Sequence, residues 1–346
     1  MSQLGHAVDS FGPDTYEPWQ FMRGRANNYR IALGMLGFTL QQIRQKDYDI
    51  IEFYGGDSWL TVLILNYFWK NKYLLVSHSN GLETQFNEVM NKYAKLLNTH
   101  QKWYQIDQSF LFENAFKFAH GIVTQSNYDR DYALQHQYGD KEHILTISSG
   151  LLEDYLGLSV DFNRPPILGY CGSWIARKGI QLIQQDIPKI LKEFPQCQFK
   201  IIGVGKDFHK EDYFHIEICD RIEVIPFIES KKELAKVYQS ISIMLVPSIY
   251  ESFGLAIAEA MACGCAVVAS RVGFAADLTS GKEIIVLNQI AYSDLYKSVK
   301  MLLEDEKLRY KIAQNGYQKV QNLTWKKAIQ EIEIAYNRWL KEIELS

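Results

Sequence analysis

The sequence has few cysteines: five among its 346 residues. Small extracellular proteins that depend on disulfide bonds have a much higher proportion. All five lie in the second half of the chain: Cys171, Cys197, Cys219, Cys263 and Cys265. An odd number with no CxxC pair supports neither a disulfide framework nor a zinc site. We therefore expect buried thiols in a reducing compartment.

The chain also lacks an excess of either charge and any long apolar run. Its 37 Lys and Arg residues face 40 Asp and Glu residues, whereas nucleic-acid binding requires a clear basic excess. The N-terminus has neither the basic start nor the apolar core of a signal peptide. The most apolar early stretch, Leu60 to Phe68, is interrupted by Asn66 and is too short to span a bilayer. These absences predict a cytoplasmic protein without a nucleic-acid partner. They are compatible with peripheral contact with the inner face of the membrane.

What the chain does contain is typical of a globular protein with a large core. Apolar residues make up 47% of it and aromatic residues 13%, which excludes a disordered chain. At roughly 100–200 residues per domain, this length predicts two domains.

In the first half, short apolar runs alternate with longer helical patterns. The predicted strands are rich in Ile, Val, Leu and Tyr: Ile50–Tyr54, Tyr73–Ser77, Gly121–Thr124 and His143–Ile147. The predicted helices are Asn27–Gln45, Ser58–Lys70 and Gln108–Ala119. Such alternation predicts βαβ units around a parallel sheet.

The alternation stops at residues 159–166, where paired prolines forbid a helix, and then resumes. The second set of predicted strands is Pro166–Cys171, Gln198–Ile202, Ile222–Pro226, Ile243–Pro247, Ala266–Ser270 and Ile284–Leu287. The predicted helices include Ile180–Phe194, Lys231–Ser240 and Phe253–Cys263. We therefore predict an α/β protein with two doubly wound domains in tandem, divided as 1–158, linker 159–166, 167–324 and a C-terminal helix in 325–346.

That last helix, Trp325–Ile343, is expected to pack back on a domain surface. The apolar residues that would face the surface are Ile329, Ile332, Ile334, Tyr336 and Leu340. In open parallel sheets, ligands bind beyond the carboxyl ends of the strands, so the loops that follow strands carry the functional information.

The most informative such loop lies between Val246 and Cys265. Glu251 follows a predicted strand, and Gly254 would let an oxyanion approach the N–H groups at the start of a helix. Glu259 lies on that helix among apolar residues on every face, so it should be buried. An unpaired buried carboxylate is costly, and Glu259 therefore requires either a protein donor or the hydroxyls of a ligand.

Glu251 and Glu259 resemble the E-x7-E element of the retaining family-four glycosyltransferases, and the Ala-Met-Ala-Cys-Gly-Cys that follows is similar to the same family. These enzymes have the GT-B fold, two Rossmann-like domains facing across a cleft. The resemblance implies that Glu251 lies by the donor sugar and diphosphate and that Glu259 accepts the ribose hydroxyls. The residues between Glu251 and the helix would supply backbone N–H groups to the donor: Ser252, Phe253, Gly254 and Leu255.

A second segment, Gly169–Gly179, is similar to the family's strand, loop and helix start. The resemblance gives Lys178 the role of neutralising the departing diphosphate and places Gly172 in the donor loop. Ser173 replaces the family's usual arginine, a charge that Arg177 would supply instead. The structural alternative, a solvated Arg-Lys pair at a helix N-terminus, is disfavoured because cations destabilise that end of a helix.

The remaining resemblances are shorter. Gly203 and Gly205 match the family's Gly-x-Gly turn beside the nucleotide, and Phe208 stands where a dinucleotide fingerprint would need its third glycine. His78 follows a predicted buried strand, like the histidine that the family presents to donor and acceptor. A lone histidine in this position is otherwise often structural.

Gly56 and Asp57 follow the preceding strand and would line the acceptor side. The Asp-x-Asp sequences at Asp47 and Asp129 precede a strand and start a helix, so turns and caps explain them and we expect no metal.

The chain departs from the family pattern at its start. Family members usually open with a strand, a Gly-Gly loop and a helix before a Gly-His-x-Val segment. Here Gly5-His-Ala-Val8 comes almost at once. The resemblance therefore implies that one βα unit of roughly 30 residues is missing, through a miscalled start or in a shortened relative.

The resemblance implies retaining transfer of a sugar from a nucleotide-diphosphate donor to an acceptor hydroxyl, with Lys178, Glu251 and His78 as the catalytic set. No cofactor or metal is expected, and the acceptor could be a glycan, a lipid-linked or a small molecule. Two alternatives stay open: a nucleotide-sugar epimerase of the same fold, and a non-catalytic nucleotide-sugar-binding protein.

Overall fold

Strands and helices alternate along both halves of the chain in the computed structural model. It describes residues 1–17, 26–97 and 103–345, without the side chains of residues 3, 26–28 and 103–109. The strands described are β1 Ile50–Tyr54, β2 Leu74–His78, β3 Gly121–Thr124, β4 Ile144–Thr146, β5 Ile167–Cys171, β6 Gln198–Val204, β7 Ile222–Pro226, β8 Ile243–Val246, β9 Ala266–Ala269 and β10 Ile285–Val286. The α-helices described are α1 Pro13–Tyr16, α2 Ala26–Gln45, α3 Trp59–Phe68, α4 Glu83–Lys92, α5 Ala94–Leu97, α6 Trp103–Lys117, α7 Asn127–Gln135, α8 Ile180–Glu193, α9 Ile216–Cys219, α10 Lys231–Gln239, α11 Leu255–Ala262, α12 Asp294–Glu304, α13 Glu306–Val320 and α14 Trp325–Glu344.

Each predicted strand is present, with ends within two residues of the prediction. Two helix starts differ. Helix α6 begins at Trp103 rather than Gln108, and α11 begins at Leu255 rather than Phe253. The second difference has a physical cause: Gly254 has φ +87°, a left-handed conformation that no helical residue adopts.

The chain forms two units. The first comprises the described residues of Met1–Asn91, Gln101–Ser148 and Lys326–Ser346, and the second comprises those of Lys92–His100 and Ser149–Trp325. Residues 149–166, which the sequence analysis divided between the first domain and a linker, belong to the second unit. Leu151 N donates to Leu323 O at 2.8 Å, and Tyr155 is fully buried in the core of this unit.

The first unit contains a parallel sheet in the order β1-β2-β3-β4. Its central strands are buried on both faces, which explains their continuous apolar sequence. Leu75 packs with Met35 and Val62 of α2 and α3, whereas its neighbour Val76 packs with Tyr336 and Trp339 of α14. The C-terminal helix therefore covers one face of this sheet.

Helix α14 packs on a domain surface as predicted, but not with all the predicted residues. Its fully or mostly buried positions are Ala328, Ala335, Tyr336 and Trp339, which repeat at helical spacing. Ile334 is 70% exposed because it falls between those positions, so its prediction as a packing residue is wrong.

The second unit contains a parallel sheet in the order β10-β9-β8-β5-β6-β7. In β8, Ile243 and Leu245 belong to the core that includes α8 and α12, whereas Met244 and Val246 belong to the core that includes α10 and α11. The sheet is thus doubly wound, and its strand order reverses between β5 and β8. Such a switch point opens a crevice at the carboxyl ends of the two strands, where ligands bind in open α/β sheets.

Among the helices described, none combines the length and the apolar character that a membrane crossing requires.

Candidate functional site

The loops that follow β5 and β8 meet at the switch point of the second sheet. Gly179 is the last residue of the loop after β5 and has φ +72°. It contacts the loop after β8 so closely that a Cβ at this position would lie 1.9 Å from Pro247 O. Ile249 N also donates to Arg177 O at 2.8 Å. This close backbone approach requires glycine at position 179 and fixes the two loops against each other.

Two cations of the β5 loop surround one carboxylate of the β8 loop. Lys178 Nζ donates to Glu251 Oε1 at 2.6 Å, and Arg177 Nη1 lies 3.7 Å from Glu251 Oε2. Ser248 Oγ donates to the same Oε1 at 2.7 Å. The Glu251 side chain is buried, whereas those of Lys178 and Arg177 remain partly exposed. We call Arg177, Lys178, Ser248 and Glu251 the switch-point cluster.

The start of α11 lies beside this cluster. Gly254 is the N-cap residue and no side chain caps the helix, and a Cβ at Gly254 would lie 3.6 Å from Glu251 Cγ. Phe253 O accepts from Phe274 N at 2.8 Å, and the Phe253 and Phe274 rings pack 5.1 Å apart. The segment is therefore held rigidly, with the positive end of the helix dipole next to two cations. Such an arrangement can bind a multiply charged anion.

Glu259 lies one to two turns further along α11 and is buried. Tyr238 Oη donates to Glu259 Oε2 at 3.2 Å. The Tyr155 hydroxyl is buried with no hydrogen bond of regular geometry among the described residues, and it lies close enough to interact with the same carboxylate. Burial raises the pKa of Glu259, and the Lys231 ammonium and the tyrosine hydroxyls offset only part of this rise.

Among the described residues, the hydrogen-bonding partners of Glu259 are thus neutral hydroxyls rather than the bonded cation of an ordinary structural ion pair. The Cys171 thiol lies near the Glu259 carboxylate, and burial raises the pKa of this thiol to about 11. A carboxylate in such surroundings retains capacity to accept hydrogen bonds from a ligand.

The turns after β5 and β6 bring two of the predicted glycines together. Gly172 N donates to Ile202 O at 2.9 Å, and a Cβ at Gly203 would lie 3.6 Å from Gly172 N. Both glycines have positive φ, +141° and +81°. Gly205 follows β6 and has open space around its Cα. Ser173 is exposed, and its carbonyl accepts from Tyr170 Oη.

His78 lies in the first unit, at the end of β2, and is mostly buried. Its Nε2 shares a 2.7 Å hydrogen bond with Tyr336 Oη of α14, and its ring stacks on Tyr54 at 4.6 Å. Burial lowers the pKa of His78, so the imidazole is neutral at physiological pH. These contacts give His78 a structural role, because they anchor α14 to the end of β2.

Gly56 and Asp57 follow β1, and they adjoin a carboxylate that the sequence analysis did not single out. Glu83 Oε1 accepts from Gly56 N at 3.1 Å, while Glu83 Oε2 is buried with no partner among the described residues. Burial raises the pKa of Glu83 to about 6, and burial together with the nearby Glu17 raises that of Asp57.

The structure also adds Ser248, Tyr238 and Tyr155 to the residues that sequence reasoning identified. Ser248 could have been found, because it lies three residues before Glu251 in the same loop. The tyrosines could not, because they reach Glu259 from distant parts of the chain. Among the described residues, no group of His, Cys, Asp or Glu could hold a metal ion, and each of the five cysteines is free.

The chain is similar to known glycosyltransferases in sequence and in fold. The sequence model of the family described as "Glycosyl transferases group 1" matches residues 159–319. An uncharacterised glycosyltransferase of Methanocaldococcus jannaschii is 26% identical over 204 residues, 57% of this chain and 54% of that protein. D-inositol 3-phosphate glycosyltransferase of Corynebacterium jeikeium is 26% identical, over 50% of this chain and 43% of that one. The chain spans about half the length of these relatives.

Solved structures resemble the chain over nearly its whole length. Sucrose-phosphate synthase from Thermosynechococcus elongatus has a TM-score of 0.75 at 17% identity, covering 97% of this chain and 86% of that one. Anabaena HepE in complex with UDP-glucose has a TM-score of 0.64 at 18% identity, covering 88% and 82%. The two parallel sheets therefore have the architecture of GT-B glycosyltransferases, and residues 159–319 match the sequence model of the glycosyltransferase group 1 family.

Proposed function

We propose that the protein transfers a sugar from a nucleotide-diphosphate donor to an acceptor hydroxyl, with retention of anomeric configuration. The observation that supports this most is the switch-point cluster, where Arg177 and Lys178 surround Glu251 beside the start of α11. The cluster lies inside the group 1 domain and at the strand ends where an α/β sheet binds its ligand.

In the proposed reaction, the cluster stabilises the leaving diphosphate. Two cations and one carboxylate give the cluster a net charge of +1, and the α11 N-terminus adds a partial positive charge. When a diphosphate binds, Lys178 and Arg177 would form ion pairs with it instead of with Glu251. The Glu251 carboxylate would then be available to position the sugar. Charge stabilisation of this kind is often the largest contribution to catalysis by acyl- and phosphate-transfer enzymes.

Glu259 would bind the nucleoside end of the donor. Its burial without a bonded cation supports this role, because ribose hydroxyls would supply the hydrogen bonds that the protein leaves unmade. Gly172, Gly203 and Gly205 would let the donor approach the ends of β5 and β6. HepE structures contain UDP or UDP-glucose, so uridine nucleotides are the first donors to test.

The acceptor would bind near the loops after β1 and β2, where Gly56, Asp57 and His78 lie. The names of the relatives do not agree on an acceptor, since one acts in capsular polysaccharide biosynthesis and another on D-inositol 3-phosphate. In the retaining mechanism, the donor phosphate accepts the acceptor proton, so the site needs no dedicated side-chain base. We propose that no metal takes part and that the protein works in the cytoplasm, which its free thiols support.

The test is an assay of the purified protein with a panel of UDP-, GDP- and ADP-sugars and mixed acceptors, with and without EDTA. Release of nucleotide diphosphate with formation of a glycoside of retained configuration is the expected result, and EDTA should not reduce it. Conversion of the donor to an epimer would instead support an epimerase. Binding with neither product would support a non-catalytic protein, and activity that EDTA abolishes and metal restores would contradict the metal-free mechanism.

A further inference from the structure

The C-terminal end of helix α3 exposes two neighbouring aromatic rings. Tyr67 is 77% exposed and Phe68 is 65% exposed, and their ring centroids lie 4.9 Å apart at 82°. Side chains of this size usually bury most of their surface, so adjacent exposed rings at a helix end call for a physical explanation.

The exposure follows from the register of α3. Thr61, Val62 and Leu65 face the core, and Trp69, four residues after Leu65, fills the next inward position. Tyr67 and Phe68 therefore lie outside the buried stripe. Burying them within this unit would require the helix to rotate away from its core, so the fold holds these two rings at the surface.

A third exposed aromatic residue is joined to the end of α3 through its backbone. Asn66 Nδ2 donates to Phe118 O at 2.9 Å, which ties the end of α3 to the segment after α6, and Phe118 is also exposed. The turn that follows α3 carries two exposed lysines, Lys70 and Lys72. We call Tyr67, Phe68, Phe118, Lys70 and Lys72 the aromatic–lysine patch; all five belong to the first unit.

The two lysines of this patch form at most weak ion pairs with the described residues. Lys72 Nζ lies 3.9 Å from Asp47, and both side chains are exposed, so that ion pair is weak. Lys70 forms no ion pair with any residue that the structure describes. Rings with adjacent lysines are the composition of segments that lie at the level of lipid headgroups, where the rings enter the acyl boundary and the ammonium groups meet anionic lipids.

We propose that the aromatic–lysine patch docks the first unit on the surface of an anionic lipid bilayer. The rings supply apolar contact area, and each lysine near an anionic surface favours binding by roughly fivefold. The interaction is peripheral, involves no membrane-spanning segment, and falls with ionic strength because its charges are exposed. It concerns a surface that takes no part in the proposed donor chemistry, so either proposal can fail without the other.

Flotation of the full-length protein with vesicles tests this proposal. We expect binding to vesicles of phosphatidylcholine with phosphatidylglycerol, and weaker binding to phosphatidylcholine alone or at high salt. The double variant Tyr67→Ser/Phe68→Ser should bind the anionic vesicles at least tenfold more weakly. Lys70→Glu/Lys72→Glu should lose the preference for anionic vesicles.

Phe227→Ser is the matched control, because Phe227 is 75% exposed in the second unit and should not affect vesicle binding. Unchanged melting temperature and UDP-glucose binding in the double variant would show that its fold and donor site are intact. The proposal is overturned if the wild-type protein does not float with anionic vesicles, if Tyr67→Ser/Phe68→Ser floats as well as the wild type, or if Phe227→Ser lowers flotation equally.

Discussion

At the scale of single residues, two buried glutamates have carboxylates that the protein compensates only in part. Glu259 accepts from one tyrosine hydroxyl, and Glu83 accepts from one backbone N–H while its second oxygen has no partner among the described residues. Burial raises the pKa of each. Buried carboxylates of this kind reduce stability, and their presence favours a role in binding.

Replacing Glu259 with Gln keeps the shape of the side chain and removes its charge. The free energy of unfolding without ligand should stay level or rise, because the cost of burying the charge disappears. Affinity for the nucleotide donor should fall about 10- to 100-fold, since hydrogen bonds to a charged group contribute about 1.5–3 kcal/mol. Thermal melting and calorimetric titration with UDP-glucose and UDP measure the two effects.

Glu229→Gln, at an exposed position of the same unit, controls for loss of charge alone. Lower stability together with unchanged affinity would rule out the ribose role, because that pattern belongs to a structural carboxylate.

The pKa of Glu83 leads to a prediction about pH. Its value of about 6 in the folded protein lies above the ordinary 4.5, so the folded state holds this proton more tightly than the unfolded state does. The stabilisation that the bound proton gives the folded state is fully present below pH 4.5, and it is lost as the pH rises through 6. Glu83→Gln should therefore be more stable than the wild type above pH 6, with the difference shrinking towards pH 4.5.

Urea unfolding at several pH values between 4 and 8 measures that difference. Glu142→Gln, at an exposed position of the same unit, controls for the loss of a carboxylate. If the difference in unfolding free energy between Glu83→Gln and the wild type stays constant across this pH range, the raised pKa of Glu83 is contradicted.

At the scale of helices and strands, Arg164 joins the ends of two helices that flank the candidate site. Its guanidinium donates to Ile241 O at 2.8 Å just after α10, to Tyr238 O at 3.3 Å within α10, and to Cys263 O at 2.6 Å after α11. A cation at a helix C-terminus is favourable, and here one residue serves two helices. Arg164 thereby holds α11, and with it Glu259, in place.

Arg164→Met should lower the free energy of unfolding by about 3 kcal/mol, because buried carbonyls lose their donors at about 1–3 kcal/mol each. Urea unfolding checks this. Arg271→Met, at an exposed position of the same unit, should change stability by less than about 0.5 kcal/mol. Equal stabilities for the two variants would contradict the role of Arg164.

The same elements show how far sequence alone predicts the fold. The strand Gly121–Thr124 was predictable to the residue, because strands buried on both faces have few polar residues. The packing of α14 was not, because Ile334 is as apolar as the residues that do pack, and only the neighbouring sheet decides which face is buried.

The candidate site divides in the same way. Lys178, Glu251 and Glu259 were predictable because each lies in a local motif, and the structure brings the first two within 2.6 Å of each other. The Tyr336 partner of His78 was not, because it lies 258 residues further along the chain. Glu83 was missed because the burial of its carboxylate, with one oxygen bonded to Gly56 N, depends on packing and not on any pattern in the sequence.

At the scale of the whole molecule, the site follows from the topology of the second sheet. The strand order reverses between β5 and β8, so the loops bearing Lys178 and Glu251 meet although 73 residues separate them. The cations come from one loop, and the carboxylate and the helix start come from the other. The proposed catalysis depends on this pairing, because the cations of the first loop and the helix start of the second would bind the same diphosphate.

Release of UDP from UDP-glucose, or from the sugar nucleotide that gives the fastest release, tests this central claim most directly. The assay needs no identified acceptor, and it compares the wild type with Lys178→Ala and with Lys192→Ala, an exposed lysine of the same unit. We predict that Lys178→Ala lowers turnover by roughly 10²–10³, the usual cost of losing one charge-stabilising group, while Lys192→Ala matches the wild type. Wild-type turnover in a well-folded Lys178→Ala variant would contradict the account.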